Sequence, residues 1–413
     1  MQAGVIDSVV ALASELIRQP SRGGIDSPEP VLHTAAHWLS ANGLQPRYLT
    51  TAGGETLGLY VRHLGPEPGP IICLDACIDT APFGDETRWS RPACIDTAPF
   101  GDETRWSRPA ASGHLDGGRL WGRGSGDSKT GAAILAHVLR DLVRDGAIRR
   151  GGVDLLFDAD EHTGRFGGVR AYLAAIECQP GGRKPDAAVL GYPGNEELIR
   201  GSRGFHRVRL QVAGRAGHSG ATEKDGINAI AKLARLVATL EEAQLPTEAV
   251  GPFAFGPCVT VTEIEGGEGF SQVPDRARCS VDIRLTPGFG VAEAERWLAA
   301  VVDRCDALHA SPQATRIEAV ESWPPYIVAE SDPLVRAFHE GGELAFARAV
   351  PLAVCGPSNI GNLLAAQGIP TICGLGVSAE NVHGTDECAV LSTIPAAYRG
   401  YREGALRFLG GVS

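Results

Sequence analysis

The sequence predicts an α/β fold: a large mixed sheet with helices on both faces, and a smaller α+β unit inserted into it. Three observations predict it. Strand and helix patterns alternate over residues 1–200, which is the signature of a sheet layered by helices. Over 201–321 the pattern changes to four strand-like runs separated by two amphipathic helices. After Trp323-Pro324-Pro325 the first pattern resumes and runs through 322–413. A discontinuous large domain (1–200 and 322–413) with an inserted lid or dimerisation unit (201–321) is the expected organisation.

Taken in order, 5–18 and 29–42 carry apolar residues at helical spacing, with Asn42-Gly43 as a stop signal. β-rich runs follow at 56–62 and 70–75. A Gly-rich turn opens an amphipathic helix over 126–142. A strand at 153–157, a helix at 166–175 and a strand at 187–190 complete this half. In the insert, strands are expected at 205–212, 258–263, 276–285 and 315–320, with helices at 227–242 and 291–307. The last part reads as helices at 334–345, 359–366 and 392–408, with a strand at 370–373.

Composition narrows the function classes. Hydrophobic residues are 43% and charged residues 21% of the 413, enough for packed cores. A net charge of −11 argues against nucleic acid or an anionic membrane as partner. No apolar run reaches the length of a membrane span. The N-terminus carries Asp7 and Glu15 without a basic leader, so a helix and not a signal peptide is expected there. Ten cysteines are scattered without paired spacing, which fits a reducing cytosol. One segment is unusual: 76–92 (ACIDTAPFGDETRWSRP) recurs without change as 93–109. The first copy follows the 70–75 strand directly, so Cys77 and Asp79 are expected at its carboxyl end. The added residues are expected to form a surface excursion, since loops tolerate insertion.

Polar clusters fall where open α/β sheets place their sites, at strand ends and helix starts. They are Cys77-Ile78-Asp79, Gly122-Arg123-Gly124-Ser125-Gly126-Asp127, Asp160-Glu161-His162-Thr163-Gly164, Gly191-Tyr192-Pro193, and Asn381-Val382-His383-Gly384-Thr385-Asp386-Glu387. Gly122, Gly124 and Gly126 are read as letting the backbone turn sharply enough to aim Asp127. His33, His37, His63, His114, His137, His206, His309 and His339 lie outside these clusters and are expected to be structural.

In this order the clusters resemble the metallopeptidase family of carboxypeptidase G, acetylornithine deacetylase and succinyl-diaminopimelate desuccinylase, over nearly the whole chain. The resemblance implies that Asp127 is a metal ligand, Glu161 the general base and His383 a second ligand. It implies a lid or dimerisation unit whose Gly214-Arg215-Ala216-Gly217-His218-Ser219 segment supplies His218 to stabilise an oxyanion, with the site shared across a homodimer or larger homo-oligomer. Gly226-Ile227-Asn228-Ala229-Ile230 and Asp282-Ile283-Arg284 also match. Arg284, Asn228, Ser271 and Asn359 are the implied contacts to a small carboxylate-bearing substrate.

The departures from the family pattern cluster on one side. The first histidine ligand is replaced by Cys77 (Cys94 in the second copy), a glutamate ligand by Tyr192, and the second glutamate of the Asp-Glu-Glu triplet by His162. A lid asparagine reads Ser271, and the usual Ser-Asp pair reads Ser358-Asn359. Asp127, His162 and His383 remain as two imidazoles and a carboxylate, a set suited to one divalent Mn, Zn, Co, Fe or Ni ion. Tyr192 and Cys77 are candidate further ligands, but a tyrosine must ionise from a pKa near 10 to bind well. One ion per site is therefore expected, with water attack on a C–N bond assisted by Glu161. Within the resemblance, hydrolytic deamination of 5-nitroanthranilate to 5-nitrosalicylate is the specific candidate. A two-metal zinc exopeptidase or N-acyl-amino-acid deacylase and an inactive binding homologue are the alternatives.

Overall fold

The computed structural model describes residues 3–51, 53–81, 106–179, 182–222, 225–246 and 251–410. It divides into two compact units, Met1–Arg200 with Val328–Ala353 and Asn359–Ser413, and Gly201–Ile327 with Val354–Ser358.

The first unit is built on a six-stranded sheet in the order Arg47–Thr50, Thr56–Leu64, Arg150–Asp158, Glu67–Cys77, Ala187–Leu190 and Thr371–Ile372. The first two strands pair antiparallel and join the sheet antiparallel, whereas the remaining four run parallel. The parallel strands are nearly all buried, as strands covered on both faces must be: Ile71 to Cys77 are shielded without a break. Leu135 of the helix Thr130–Arg144 packs against Gly191 beside Ala76, on one face. On the other face Tyr172 of the helix Gly167–Glu177 bonds Asp154, the partner of Cys73 in the ladder. The mixed sheet with helices on both faces is thus the architecture that the alternating pattern predicts.

Two local features differ from the sequence reading. The helix expected from residue 126 begins at Thr130, and Asp127 has φ −117 and ψ 97, outside helical geometry. The reason is that the Gly124, Gly126 and Asp127 N–H groups all donate to the Glu387 carboxylate, which holds this turn off the helix. The second feature is a small sheet of Ala379–Glu380, Cys388–Val390, Arg119–Trp121 and His114–Asp116 that periodicity did not reveal. Strands of two or three residues are too short to carry an alternation signal. This sheet pairs Cys388 with Trp121, and so sets the loop after Glu380 beside the turn after Trp121.

The second unit is a four-stranded antiparallel sheet in the order Cys258–Gly266, Arg276–Leu285, Gly204–Ala213 and Arg316–Trp323. The helices Ala229–Glu242 and Val291–Leu308 bury Leu233, Leu236 and Leu298 against Leu210, Val281 and Ile283. Alternate strand residues face away from the helices and carry ion pairs, such as Arg278–Glu265 at 2.6 Å. Among the described residues no helix is long and apolar enough to cross a membrane.

The repeated segment contributes by its two ends. Asp79 and Thr80 of the first copy are buried after the strand Glu67–Cys77, and Trp106 of the second copy is buried too. Thr80 packs on Gly124, 2.7 Å from where a Cβ would stand, and the Trp106 ring lies 5.3 Å from the guanidinium carbon of the adjacent Arg123. The surface excursion expected for the added residues, and Cys94 with them, fall in 82–105, outside the described residues. Because the copies are identical, removing either one gives the same chain, with seven residues instead of 24 between Ala81 and the tryptophan. Seven residues span up to roughly 25 Å, and both ends pack on one dipeptide. Deleting 93–109 is expected to leave the fold intact and to raise stability by about 1 kcal/mol through cheaper loop closure. A thermal melt checks it, and loss of folded protein would contradict it.

His137 is fully buried in the helix Thr130–Arg144. Its Nδ1 donates to the Ala133 carbonyl at 2.7 Å, so Nε2 accepts from the Ser8 hydroxyl at 2.8 Å and the ring is neutral. Burial pushes its pKa down to about 4 from 6.5. A folded-state value below the unfolded one stabilises the fold above pH 6.5, and the benefit disappears as pH falls through 4. The difference corresponds to about 3 kcal/mol. Between pH 7 and 4 the wild-type melting temperature should therefore fall more steeply than that of His137→Gln, and parallel curves would contradict the assignment.

Candidate metal centre

Three segments of the first unit bring nitrogen and oxygen ligands to one point. Asp127 comes from the tight turn Ser125–Lys129, and His162 follows the strand Arg150–Asp158. His383 lies on the loop between Ala379–Glu380 and Cys388–Val390. Gly122 and Gly124 supply positive φ values of 138° and 84°. Gly126 has no positive φ. It is needed for space, since a Cβ there would come within 2.7 Å of Ala379.

His383 Nε2 is 3.0 Å from Asp127 Oδ2, His162 Nε2 is 3.3 Å from His383 Nε2, and His162 Nε2 is 3.9 Å from Asp127 Oδ2. A point equidistant from these three atoms lies about 2.0 Å from each, the length of a bond from nitrogen or carboxylate oxygen to a divalent transition metal. Two imidazole nitrogens facing each other at 3.3 Å require a proton or a cation between them. The donor set therefore fits one ion. His162 is mostly buried and His383 half-exposed, so access to the centre is from the His383 side.

The surroundings are strongly anionic. Burial works to lower the His162 pKa, but Glu161, Asp79 and Asp127 outweigh it and pull the imidazole up to about 10. Burial likewise works to raise Asp127, yet the His383 hydrogen bond and the His162 charge hold it below its ordinary value. Glu161 is pushed up to about 7, mainly by burial, with His162 opposing and Asp127 adding. A carboxylate poised there can take and return a proton near neutral pH.

Asp79, whose role sequence reasoning missed, fixes this arrangement. Its two oxygens accept the Glu161 N–H at 3.2 Å and the His162 N–H at 2.9 Å, and one lies 3.5 Å from His162 Nδ1. An aspartate two residues beyond Cys77 was its only signal. Arg123 and Glu387, buried together, were also missed as site residues, although both sit in the motifs.

The two candidate further ligands are engaged in other ways. Cys77 is buried with Sγ 3.1 Å from Ser128 Oγ and 3.7 Å from Asp127 Oδ1. The Tyr192 hydroxyl donates to Glu161 Oε1 at 3.2 Å. Burial pushes both well above their ordinary pKa, with nearby carboxylates adding. Cys77, Asp79 and His162 do place one ligand atom each within 4.8 Å of one another. Asp79 is already held by two N–H groups, however, and burial opposes ionisation of the thiol.

The other expected site residues divide between the units. Asn359, in the first, caps the helix Ile360–Ala366 through Oδ1, which accepts the Gly361 N–H at 2.8 Å. Asn228, in the second, caps Ala229–Glu242 in the same way through Ala231 at 3.0 Å. In each, the side-chain oxygen satisfies an orphan N–H of the first helical turn. His218 is exposed, and its Nδ1 accepts the Gly220 N–H at 3.1 Å, so the neutral ring carries its proton on Nε2. Ser271 accepts the Ser219 N–H through its carbonyl at 3.0 Å. Arg284 pairs with Asp282 at 3.1 Å and donates to Ser358 Oγ at 3.2 Å.

Known proteins similar to this chain agree on its family and its fold. The model of Peptidase family M20/M25/M40 matches residues 95–407, starting inside the second copy of the repeat. An acetylornithine deacetylase from Proteus mirabilis is 27% identical over 71% of each chain. A succinyl-diaminopimelate desuccinylase from Bradyrhizobium is 28% identical over 95% of this chain and 97% of its own. The fold matches an M20 family metallo-carboxypeptidase from Sulfolobus solfataricus with TM-score 0.77 at 15% identity, covering 98% of this chain and all of the other. It also matches a dinuclear metal binding M20 peptidase from Bacillus subtilis with TM-score 0.67 at 15% identity, covering both chains in full. The chain belongs to the M20/M25/M40 peptidase family, and is an enzyme of the metal-dependent hydrolase class that acts on C–N bonds.

Proposed function

We propose that the protein hydrolyses a C–N bond of a small carboxylate-bearing substrate at a centre holding one divalent transition ion. The observation that carries this reading is the triangle of His162 Nε2, His383 Nε2 and Asp127 Oδ2, sized for a single ion, with Glu161 alongside. When bound, such an ion acts as a Lewis acid and lowers the pKa of water at the site. Mn, Zn, Co, Fe and Ni all suit two imidazoles and a carboxylate.

The chain's own residues supply the rest. Glu161 takes a proton from the attacking water and returns it to the departing nitrogen. Its neighbour Tyr192 donates to Oε1, and Oε2 lies 3.2 Å from His162 Nδ1. His218, with its proton on Nε2, is the donor proposed for charge developing on the substrate. Arg284 is the group proposed to hold the substrate carboxylate, where a planar fork suits two oxygens. As in the sequence reading, the unit carrying His218 and Arg284 is proposed to act as a lid and to join subunits into a homodimer or larger homo-oligomer. A cytosolic setting is part of the same proposal.

A second ion in the manner of the dinuclear relatives would need Cys77 and Tyr192 ionised, and burial opposes both. Asp75, buried near them with neither oxygen hydrogen-bonded, is also pushed toward its neutral form. A substrate that carries developing charge on its own substituents suits a one-ion centre, and 5-nitroanthranilate, with its nitro group, is the proposed example. N-acyl amino acids are the competing substrates.

Turnover of 5-nitroanthranilate to ammonia and 5-nitrosalicylate, measured beside release from an N-acyl amino acid, tests the substrate. For the mechanism, Glu161→Gln is expected to keep the bound metal while kcat falls by roughly 10²–10⁴-fold. Turnover by that variant at the wild-type rate would refute the role of Glu161.

A further inference from the structure

Neither Glu387 nor Arg123 is needed as a ligand, yet together they tie the two segments that carry Asp127 and His383. Glu387 is fully buried and Arg123 nearly so. Glu387 Oε1 accepts three backbone N–H groups, from Gly124 at 3.1 Å, Gly126 at 2.8 Å and Asp127 at 3.1 Å. Its Oε2 meets Arg123 Nη1 at 2.6 Å. The other arm of the same guanidinium, Nη2, donates to the His383 carbonyl at 3.1 Å. Trp106 lies over the guanidinium, 5.3 Å from ring centre to carbon, and shields it from water.

The consequence is geometric. The backbone of Asp127 hangs from one oxygen of Glu387, and the backbone of His383 hangs from the far arm of the arginine bonded to the other oxygen. Charge-assisted, two-armed contacts of this kind fix orientation as well as distance. The His383 loop needs such a hold, because Asn381, His383 and Asp386 all have positive φ, at 54°, 62° and 57°. Left-handed backbone at non-glycine residues persists only where surrounding contacts impose it. Asp386 adds one more tie, accepting the Ser107 N–H at 2.8 Å.

We propose that the Glu387–Arg123 pair is a clamp that sets the separation of Asp127 and His383, and with it the affinity and geometry of the metal centre. Both are positioning residues, since their own polar groups are engaged with backbone and with each other. The proposal rests on the one-ion reading given above.

The test uses the full chain with zinc and cobalt. Glu387→Gln keeps an oxygen for the N–H groups but removes the charge facing Arg123. Arg123→Lys keeps the charge facing Glu387 but cannot span to the His383 carbonyl as a fork does. Zinc affinity by chelator competition is expected to fall by roughly 10–100-fold in each variant, the usual effect of removing a group that orients a ligand. The visible spectrum of the cobalt form should change in position and intensity, which a general loss of stability would not produce in folded protein. Folded variants with wild-type affinity and spectrum would overturn the clamp. Wild-type protein that binds no ion would instead defeat the one-ion reading itself. If Glu387→Gln does not fold, Arg123→Lys, which preserves the buried charge pair, decides the matter.

Discussion

Carboxylates crowd the site region of the first unit, and the structure depends on how the charge of four of them, Asp79, Asp127, Glu161 and Glu387, is compensated. A carboxylate taken out of water is costly unless it is paired and hydrogen-bonded. Each has its own compensation here. Glu387 has a guanidinium and three N–H groups, and Asp79 has two N–H groups and lies near an imidazole. Asp127 faces two imidazoles. Glu161 has only the Tyr192 hydroxyl as hydrogen-bond donor to its side chain among the described residues, and burial lifts it to about 7.

The substitutions relative to the family pattern make physical sense on this basis. Exchanging a triplet glutamate for His162 removes a negative charge from an already crowded pocket. Where the resemblance implies two ligands in the family, this chain has Cys77 and Tyr192, whose ionisation burial opposes. The thiol bonds to Ser128 and the phenol to Glu161, so the space is filled by mutual hydrogen bonding. The likeness to the dinuclear Bacillus subtilis peptidase is one of fold, at 15% identity, and a single ion is what is proposed for this chain.

Much of this was legible in the sequence. The sheet could be read because its strands are continuous apolar runs and its helices are amphipathic over several turns. The candidate site could be read because Asp127, Glu161, His162 and His383 sit in Gly-rich, polar clusters that a core would not otherwise carry. What escaped was whatever has no local signal. The small sheet that aligns Trp121 with Cys388 uses strands of two or three residues. The bonds between Glu387 and the 124–127 turn join residues some 260 positions apart. An asparagine before a helix reads equally as substrate contact or cap, and Asn228 and Asn359 both cap through Oδ1.

The account stands on one cation enclosed by His162, His383 and Asp127. An anomalous-difference map from crystals grown with manganese or zinc tests this most directly. The account predicts a single peak within bonding distance of His162 Nε2, His383 Nε2 and Asp127 Oδ2, at one ion per chain. Two peaks about 3.5–4 Å apart, with the Cys77 sulfur or the Tyr192 oxygen among the ligands, would contradict it.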